Sequence, residues 1–318
     1  MGPFVHRIDP VIFEIGGLYL WWYGLSYSLG FIGVFFWLKR SRSRISMEMP
    51  GVYDLTLLIC TGVLVGGRLV EVFFYEWAYY REHLFHIPAI WLGGMSTHGI
   101  LLGSILAIVL FCRLKKRSFL EVTDVLAIAA AYIMGVGRIG NFIDGQIPGS
   151  LTDAWWGVKF PDVEGYRHPV VLYDGIKNLL LIPFLLWIRS LQPARGVMTA
   201  HFILWYGFLR IFVDLFREYR TELMGFPPGQ EFNLLMTIVG AGMLIWIRLG
   251  RKKKTKEEVA ETATSAQPPS GLLWKRVLLV LLILIPMVIP SDWTQEVPER
   301  YGHRHPGMSH SWLYPVME

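Results

Sequence analysis

The chain is short of charge and of cysteine. Only 17% of its 318 residues are Asp, Glu, Lys or Arg, where a soluble domain carries about a quarter. Its two cysteines, Cys60 and Cys112, each lie within or at the edge of an apolar run. That count and placement exclude a disulfide framework. A thiol shielded by hydrocarbon is also a poor nucleophile, so both read as small packing residues. "MGPFVHRIDP" lacks a basic segment followed by an apolar stretch and a small-residue cleavage site, and no cleaved signal peptide is expected. It also lacks the Ser or Thr of a myristoylation motif. No internal repeat of fixed period is present.

Apolar residues dominate: 53% of the chain, with 13 Trp. About 20 mostly apolar residues cross a bilayer, and eight stretches qualify or come close. They are Leu18–Leu38, Tyr53–Phe74, Ser96–Cys112, Leu120–Val136, Val170–Ile188, Val197–Leu215, Leu234–Ile247 and, set apart, Val277–Ile289. The expected fold is all-α and polytopic, with seven helices forming a core and an eighth near the C-terminus. The connecting segments alternate in charge. "KRSRSR", "RLKKR", Arg189 with Arg195, "RLGRKKKTK", and Lys275 with Arg276 fall on one side and hold eighteen of the thirty Lys and Arg. The positive-inside rule makes that side cytoplasmic and sends the N-terminus outside. A net charge of +5 would suggest nucleic acid in a soluble protein. Here it reports topology, and no nucleic-acid partner is expected.

The outer side then collects the unusual polar residues. Arg68, Arg138 and Arg210 stand in apolar spans or at their outer ends, where a guanidinium is costly. Internal pairing is the local explanation, with Arg68 one turn from Glu71 and Arg210 four residues before Asp214. Three at one depth favour a shared anion, and the planar fork of Arg suits phosphate. His98 lies in "GGMSTHG"; a histidine there is either hydrogen-bonded structure or a group that moves a proton near neutral pH. His168, Tyr173 and Asp174 begin the fifth span, either as a plain helix start or as a cavity lining. Tyr23 and Tyr206 sit in repeated Trp-Tyr-Gly triplets, as interface aromatics or as inward hydroxyls. "GRIGNFIDGQIPG", residues 137–149, reads as a glycine-rich turn in which Arg138 meets a phosphate and Asn141 and Gln146 bond its oxygens.

Together these motifs resemble the bacterial prolipoprotein diacylglyceryl transferase family. "GRIGNFIDGQIPG" looks like the family signature and "GGMSTHG" like its histidine motif. "WYGLSYSLGF", "GGRLVEVFFY", "HPVVLYDG" and "YGFLRIFVDLFRE" follow in the family's order, over roughly residues 8–250. The resemblance implies critical roles for His98, Arg138, Asn141, Gly149 and Arg210, with Tyr23 and Tyr206 at further functional positions. Arg68 and Gln146 are expected to join Arg138, Asn141, Gly149 and Arg210 around the lipid. The implied reaction moves the diacylglyceryl group of phosphatidylglycerol to the lipobox cysteine of a prolipoprotein and releases glycerol 1-phosphate. It implies the bacterial inner membrane, a site toward the outer leaflet, and no metal or cofactor.

The chain departs from the family pattern at Gln146 (usually Glu), Asp144 (Asn), Thr97 (Phe), Ile100 (Gly) and Asp174 (Glu). A catalytically silent lipid-binding or assembly protein is therefore the alternative. A solute transporter would carry its polar groups nearer the midplane, on inverted repeats. The implied organisation is a membrane-embedded core over 1–250, a basic cytoplasmic linker over 251–276, the eighth helix over 277–289 and an outside tail over 290–318.

Overall fold

The computed structural model describes residues 4–218, 228–251, 272–291 and 296–316. Among them, Met49–Tyr75, Thr97–Leu114, Phe119–Ile143, Val170–Ser190, Val197–Asp214 and Gly229–Gly250 are helices long and apolar enough to cross a membrane. The chain is a helical, multi-pass membrane protein with very little sheet. We label the helices α1 (Trp22–Ser41), α2 (Met49–Val70), α3 (Thr97–Leu114), α4 (Phe119–Ile143), α5 (Val170–Ser190), α6 (Val197–Asp214), α7 (Pro228–Arg251) and α8 (Leu272–Leu284). The linker expected over 251–276 falls mostly outside the described residues, as do residues 219–222 of the outer segment "FREYRTE".

Two boundaries differ from the sequence reading in ways that matter. The first span does not begin at Leu18. Leu18–Trp21 is a strand, β2, paired antiparallel with β1, Val11–Ile15. Gly16 and Gly17 between them have φ of +58° and +85°, the two left-handed residues of a tight hairpin turn. The β-branched and aromatic residues of "VIFEI" and "LYLW" on either side of "GG" carry that signal, and the apolar count masks it. The fourth span does not end at Val136. Helix α4 continues to Ile143, so "GRIGNFI" is two more turns of helix, and only Asp144–Gly149 form the turn. Arg138 and Asn141 are thus fixed one helical turn apart on a rigid element.

Small residues decide how closely the helices pack. A Cβ placed on Gly103 of α3 would lie 1.9 Å from the Gly62 carbonyl of α2, and one on Gly66 would lie 2.4 Å from the Gly99 carbonyl. Glycine on both sides lets these backbones touch, the usual route to tight helix pairs in a bilayer. Helix α4 lies between α1 and α5, and α6 packs on α5 and α7. Helix α8 packs along α1 and α2, where the Ser28 hydroxyl donates to the Ile283 carbonyl at 2.6 Å.

At one end the basic segments meet. Arg117 donates to the Ile45 and Ser46 carbonyls, Arg189 donates to Ser41 Oγ at 3.0 Å, and Lys115 and Lys275 share Asp54. The opposite end carries a cap. Trp21, fully buried, packs its ring 4.8 Å from that of Tyr301 on a short helix, Val297–Tyr301. The Trp91 indole donates to the Leu313 carbonyl at 2.9 Å. Residues 296–316 therefore fold onto the hairpin as part of this cap.

His6 belongs to the cap as well. Its Nε2 donates to the Phe142 carbonyl at 2.7 Å, and its ring lies between Phe142 and Phe160. Burial, helped by the charge of Arg304, holds the imidazole below its ordinary value of 6.5. The folded state thus keeps His6 neutral where the unfolded chain takes up a proton, so this contribution is present above about pH 6.5 and is lost as pH falls below it. Limited proteolysis of the cap is expected to accelerate on acidification through this range, and His6→Gln to weaken that dependence. Unchanged acid sensitivity in the variant would contradict the assignment.

Candidate active site

Helices α4, α5 and α6 bring charged side chains to one buried cluster. Its centre is Asp174, five residues into α5 and 1% exposed. Asp174 Oδ2 accepts from Arg138 Nε of α4 at 2.7 Å and pairs with Arg210 Nη1 of α6. Asp174 Oδ1 lies 2.9 Å from Lys177 Nζ, one turn further along α5. Arg138 also donates to Asn141 Oδ1 at 3.2 Å. Arg210 Nε faces Asp214 Oδ1 at 3.1 Å, and Asp214 Oδ2 accepts from Asn233 of α7 at 2.6 Å. Tyr206 presents its ring 3.8 Å from Lys177 Nζ. Tyr23 bonds the Tyr27 hydroxyl at 2.8 Å and lies near Asn141 and Arg138.

The charges in this set do not cancel. Arg138, Arg210 and Lys177 contribute three positive charges, and Asp174 and Asp214 two negative ones. Arg217 adds a fourth cation at the rim, 3.9 Å from Asp214 and 28% exposed. Buried ions are tolerated only when paired and bonded. A buried group left with an excess positive charge is suited to an anion, and two guanidiniums from different helices offer a forked grip on phosphate.

Five of the sequence-selected residues thus come together: Arg138, Arg210, Asn141, Tyr206 and Tyr23. Arg68 does not join them. Its guanidinium is buried in a cage of backbone carbonyls, donating to Ile87 and His86 at 2.7 Å each, to Ala89 at 3.2 Å and to Gly93. The Tyr80 ring covers it at 4.9 Å. Those carbonyls, rather than Glu71, are its hydrogen-bond partners, and Arg68 pins the 84–94 segment to the end of α2. His98 lies in the first turn of α3, exposed, and its Nδ1 pairs with the Tyr75 hydroxyl at 2.9 Å. Tyr75 ends a π-helical turn, Glu71–Tyr75, that continues α2. Gln146 lies in the turn after α4, where its N–H bonds the Asn141 carbonyl at 2.9 Å. Gly149 is held between two neighbouring segments. Its N–H donates to the His168 carbonyl at 2.9 Å, and an added Cβ would stand 2.6 Å from the Phe216 carbonyl.

Sequence reasoning passed over Lys177, Asn178 and Asn233. The signal was there in α5: Asp174, Lys177 and Asn178 repeat at three and four residues, so they share one face of an apolar helix. Two predictions follow from the residues outside the cluster. Arg68→Met removes the donor from at least four carbonyls, two of them in fully buried contacts, and is expected to destabilise the protein by more than about 3 kcal/mol, read as a lowered thermal midpoint in detergent. Gly149→Ala forces backbone segments apart and is expected to abolish activity; a variant with native turnover would show that the segments separate freely.

Comparison with known proteins identifies the family. Residues 10–246 match the family model described as prolipoprotein diacylglyceryl transferase. A relative from Geobacter sulfurreducens is 39% identical over 249 residues, covering 76% of this chain and 96% of the relative. One from Nitrosospira multiformis is 40% identical over 253 residues, covering 76% and 86%. A third, from Pseudoalteromonas atlantica, is 37% identical over 272 residues, covering 82% and 96%. Each of the three is named phosphatidylglycerol–prolipoprotein diacylglyceryl transferase, and the alternative of a silent assembly protein has no support among them. On its motifs, its buried arginines and these matches, the chain belongs to the prolipoprotein diacylglyceryl transferase family.

Proposed function

We propose that this chain transfers the diacylglyceryl group of phosphatidylglycerol to the cysteine thiol of a prolipoprotein lipobox. The observation that carries the reading is the convergence of Arg138 and Arg210, from separate helices, on the single carboxylate of Asp174. Two guanidiniums held so close by one small anion are preorganised for another. In the reaction the thiolate sulfur bonds the glyceryl carbon that bears the phosphate. The carbon–oxygen bond breaks, and glycerol 1-phosphate leaves with the electron pair. The phosphate passes from one negative charge to two, so cations fixed beside it favour the transition state over the bound lipid. The excess positive charge of the cluster is of the right sign for that step.

A base must take the thiol proton, because the thiolate is the nucleophile. We assign this to His98: with Nδ1–H donating to the Tyr75 hydroxyl at 2.9 Å, Nε2 is the acceptor nitrogen that takes the proton. Asn141, Gln146, Tyr23 and Tyr206 are assigned to the polar oxygens of the lipid head. The enzyme works in the bacterial inner membrane with its N-terminus outside. The gathering of Arg117, Arg189, Lys115 and Lys275 at the opposite end supports a cytoplasmic face there. The site then opens toward the outer leaflet, where a secreted precursor approaches. The core over 1–250 supplies every residue named in this reaction.

The test is reconstitution. Purified protein in phosphatidylglycerol vesicles, given a lipobox peptide, is expected to raise the peptide mass by one diacylglyceryl group and release glycerol phosphate in equal amount. Arg138→Gln and Arg210→Gln are each expected to lower kcat by about 100-fold or more. His98→Asn is expected to lower kcat by a similar factor, of order 100. Full turnover in the arginine variants would remove the phosphate assignment, and full turnover in His98→Asn would remove the base.

A further inference from the structure

The reaction as described leaves Lys177 without a task. Its ammonium is nevertheless drawn into the centre of the cluster, with its side chain 5% exposed. A lysine in a membrane helix has the length to reach an interface; this one instead faces Asp174 Oδ1 at 2.9 Å and the Tyr206 ring at 3.8 Å. The two guanidiniums share the other oxygen, Oδ2. One carboxylate therefore has a division of labour built into it.

The charge count gives that division a meaning. With Lys177, the buried set of Arg138, Arg210, Lys177, Asp174 and Asp214 carries one net positive charge, and a phosphodiester brings it to zero. Without Lys177 the remaining four buried groups are neutral, and only Arg217 at the rim, 3.9 Å from Asp214, is left to offset the lipid head. There is also a competition to settle. For Arg138 and Arg210 to reach a phosphate they must loosen their hold on Asp174, and a buried carboxylate stripped of cations is costly.

We propose that Lys177 is a positioning residue: by neutralising Asp174 through Oδ1 it frees the guanidiniums on Oδ2 to turn to the lipid phosphate. The proposal rests on the transferase reading. Lys177 touches neither the thiol nor the phosphate in this scheme; it acts through Asp174.

The experiment is a double-mutant cycle on the full-length protein in phosphatidylglycerol vesicles with a lipobox peptide. Phosphatidylglycerol retained by each purified variant in detergent is measured in parallel by lipid mass spectrometry. Lys177→Met is expected to lower kcat/KM for the lipid, and lipid retention, by about tenfold or more. Lys177→Arg keeps the charge and is expected to stay within about threefold of the native protein. In an Asp174→Asn background, where there is no carboxylate to neutralise, Lys177→Met is expected to cost less than about threefold.

Three outcomes overturn the proposal: a Lys177→Met protein close to native, a Lys177→Arg protein as poor as Lys177→Met, or equal losses in both backgrounds. The second would mark the amine itself as the reacting group, and the third a packing role. If Asp174→Asn is inactive, the same cycle is read from lipid retention. Absence of transfer by the native protein would sink the transferase reading, while the retention data would still decide the role of Lys177.

Discussion

A guanidinium cannot be carried into a bilayer alone, and the carboxylate of Asp174 is what lets two of them meet there. Arg138 and Arg210 reach it from helices α4 and α6, and Lys177 reaches it from its own helix. As a source of stability this cluster is poor, because buried ion pairs return little beyond the desolvation they cost. Its use is to hold strong donors in a fixed place with charge to spare. Catalysis of a reaction whose leaving group gains negative charge needs that kind of fixed positive field.

Other parts of the structure are held in place by devices of their own. The glycine contacts between α2 and α3 bring backbones together where side chains would hold them apart. The extension of α4 through Ile143 places Arg138 and Asn141 on a helix instead of a loop, which limits their motion to side-chain torsions. Arg68 performs the corresponding service for the 84–94 segment, giving its donors to carbonyls that would otherwise be left unpaired. Outside the helices, the hairpin, residues 296–316 and the 158–168 segment close over the same end of the molecule.

How much of this was legible in the sequence depended on the physical signal. Apolar runs and alternating basic loops are long-range patterns, and they located the major helices to within a few residues over most of their length. Local backbone geometry was harder. The hairpin at Gly16–Gly17 was hidden inside an apolar run that also satisfied the criterion for a span. "GRIGNFI" reads as a turn because its glycines permit tight turns, whereas in a bilayer helix glycine is tolerated and favours close packing. Among the site residues, Arg138 and Arg210 stood out because charge in hydrocarbon always needs a reason. Arg68 stood out on the same ground but answers to backbone carbonyls, a distinction that only the fold reveals. Lys177 shows the reverse failure: its spacing from Asp174 was visible, but nothing in one helix indicated that two arginines from elsewhere would share that carboxylate.

The central claim is that a lipid phosphate replaces Asp174 as the partner of both guanidiniums. The most direct measurement is the distance from the bound lipid phosphorus to labelled arginine side chains, by solid-state NMR of the protein in phosphatidylglycerol bilayers. The account predicts close dipolar coupling, phosphorus to guanidinium nitrogen at about 4 Å or less, for Arg138 and Arg210 alike and not for Arg68. Coupling confined to one of the two, or to neither, would contradict it.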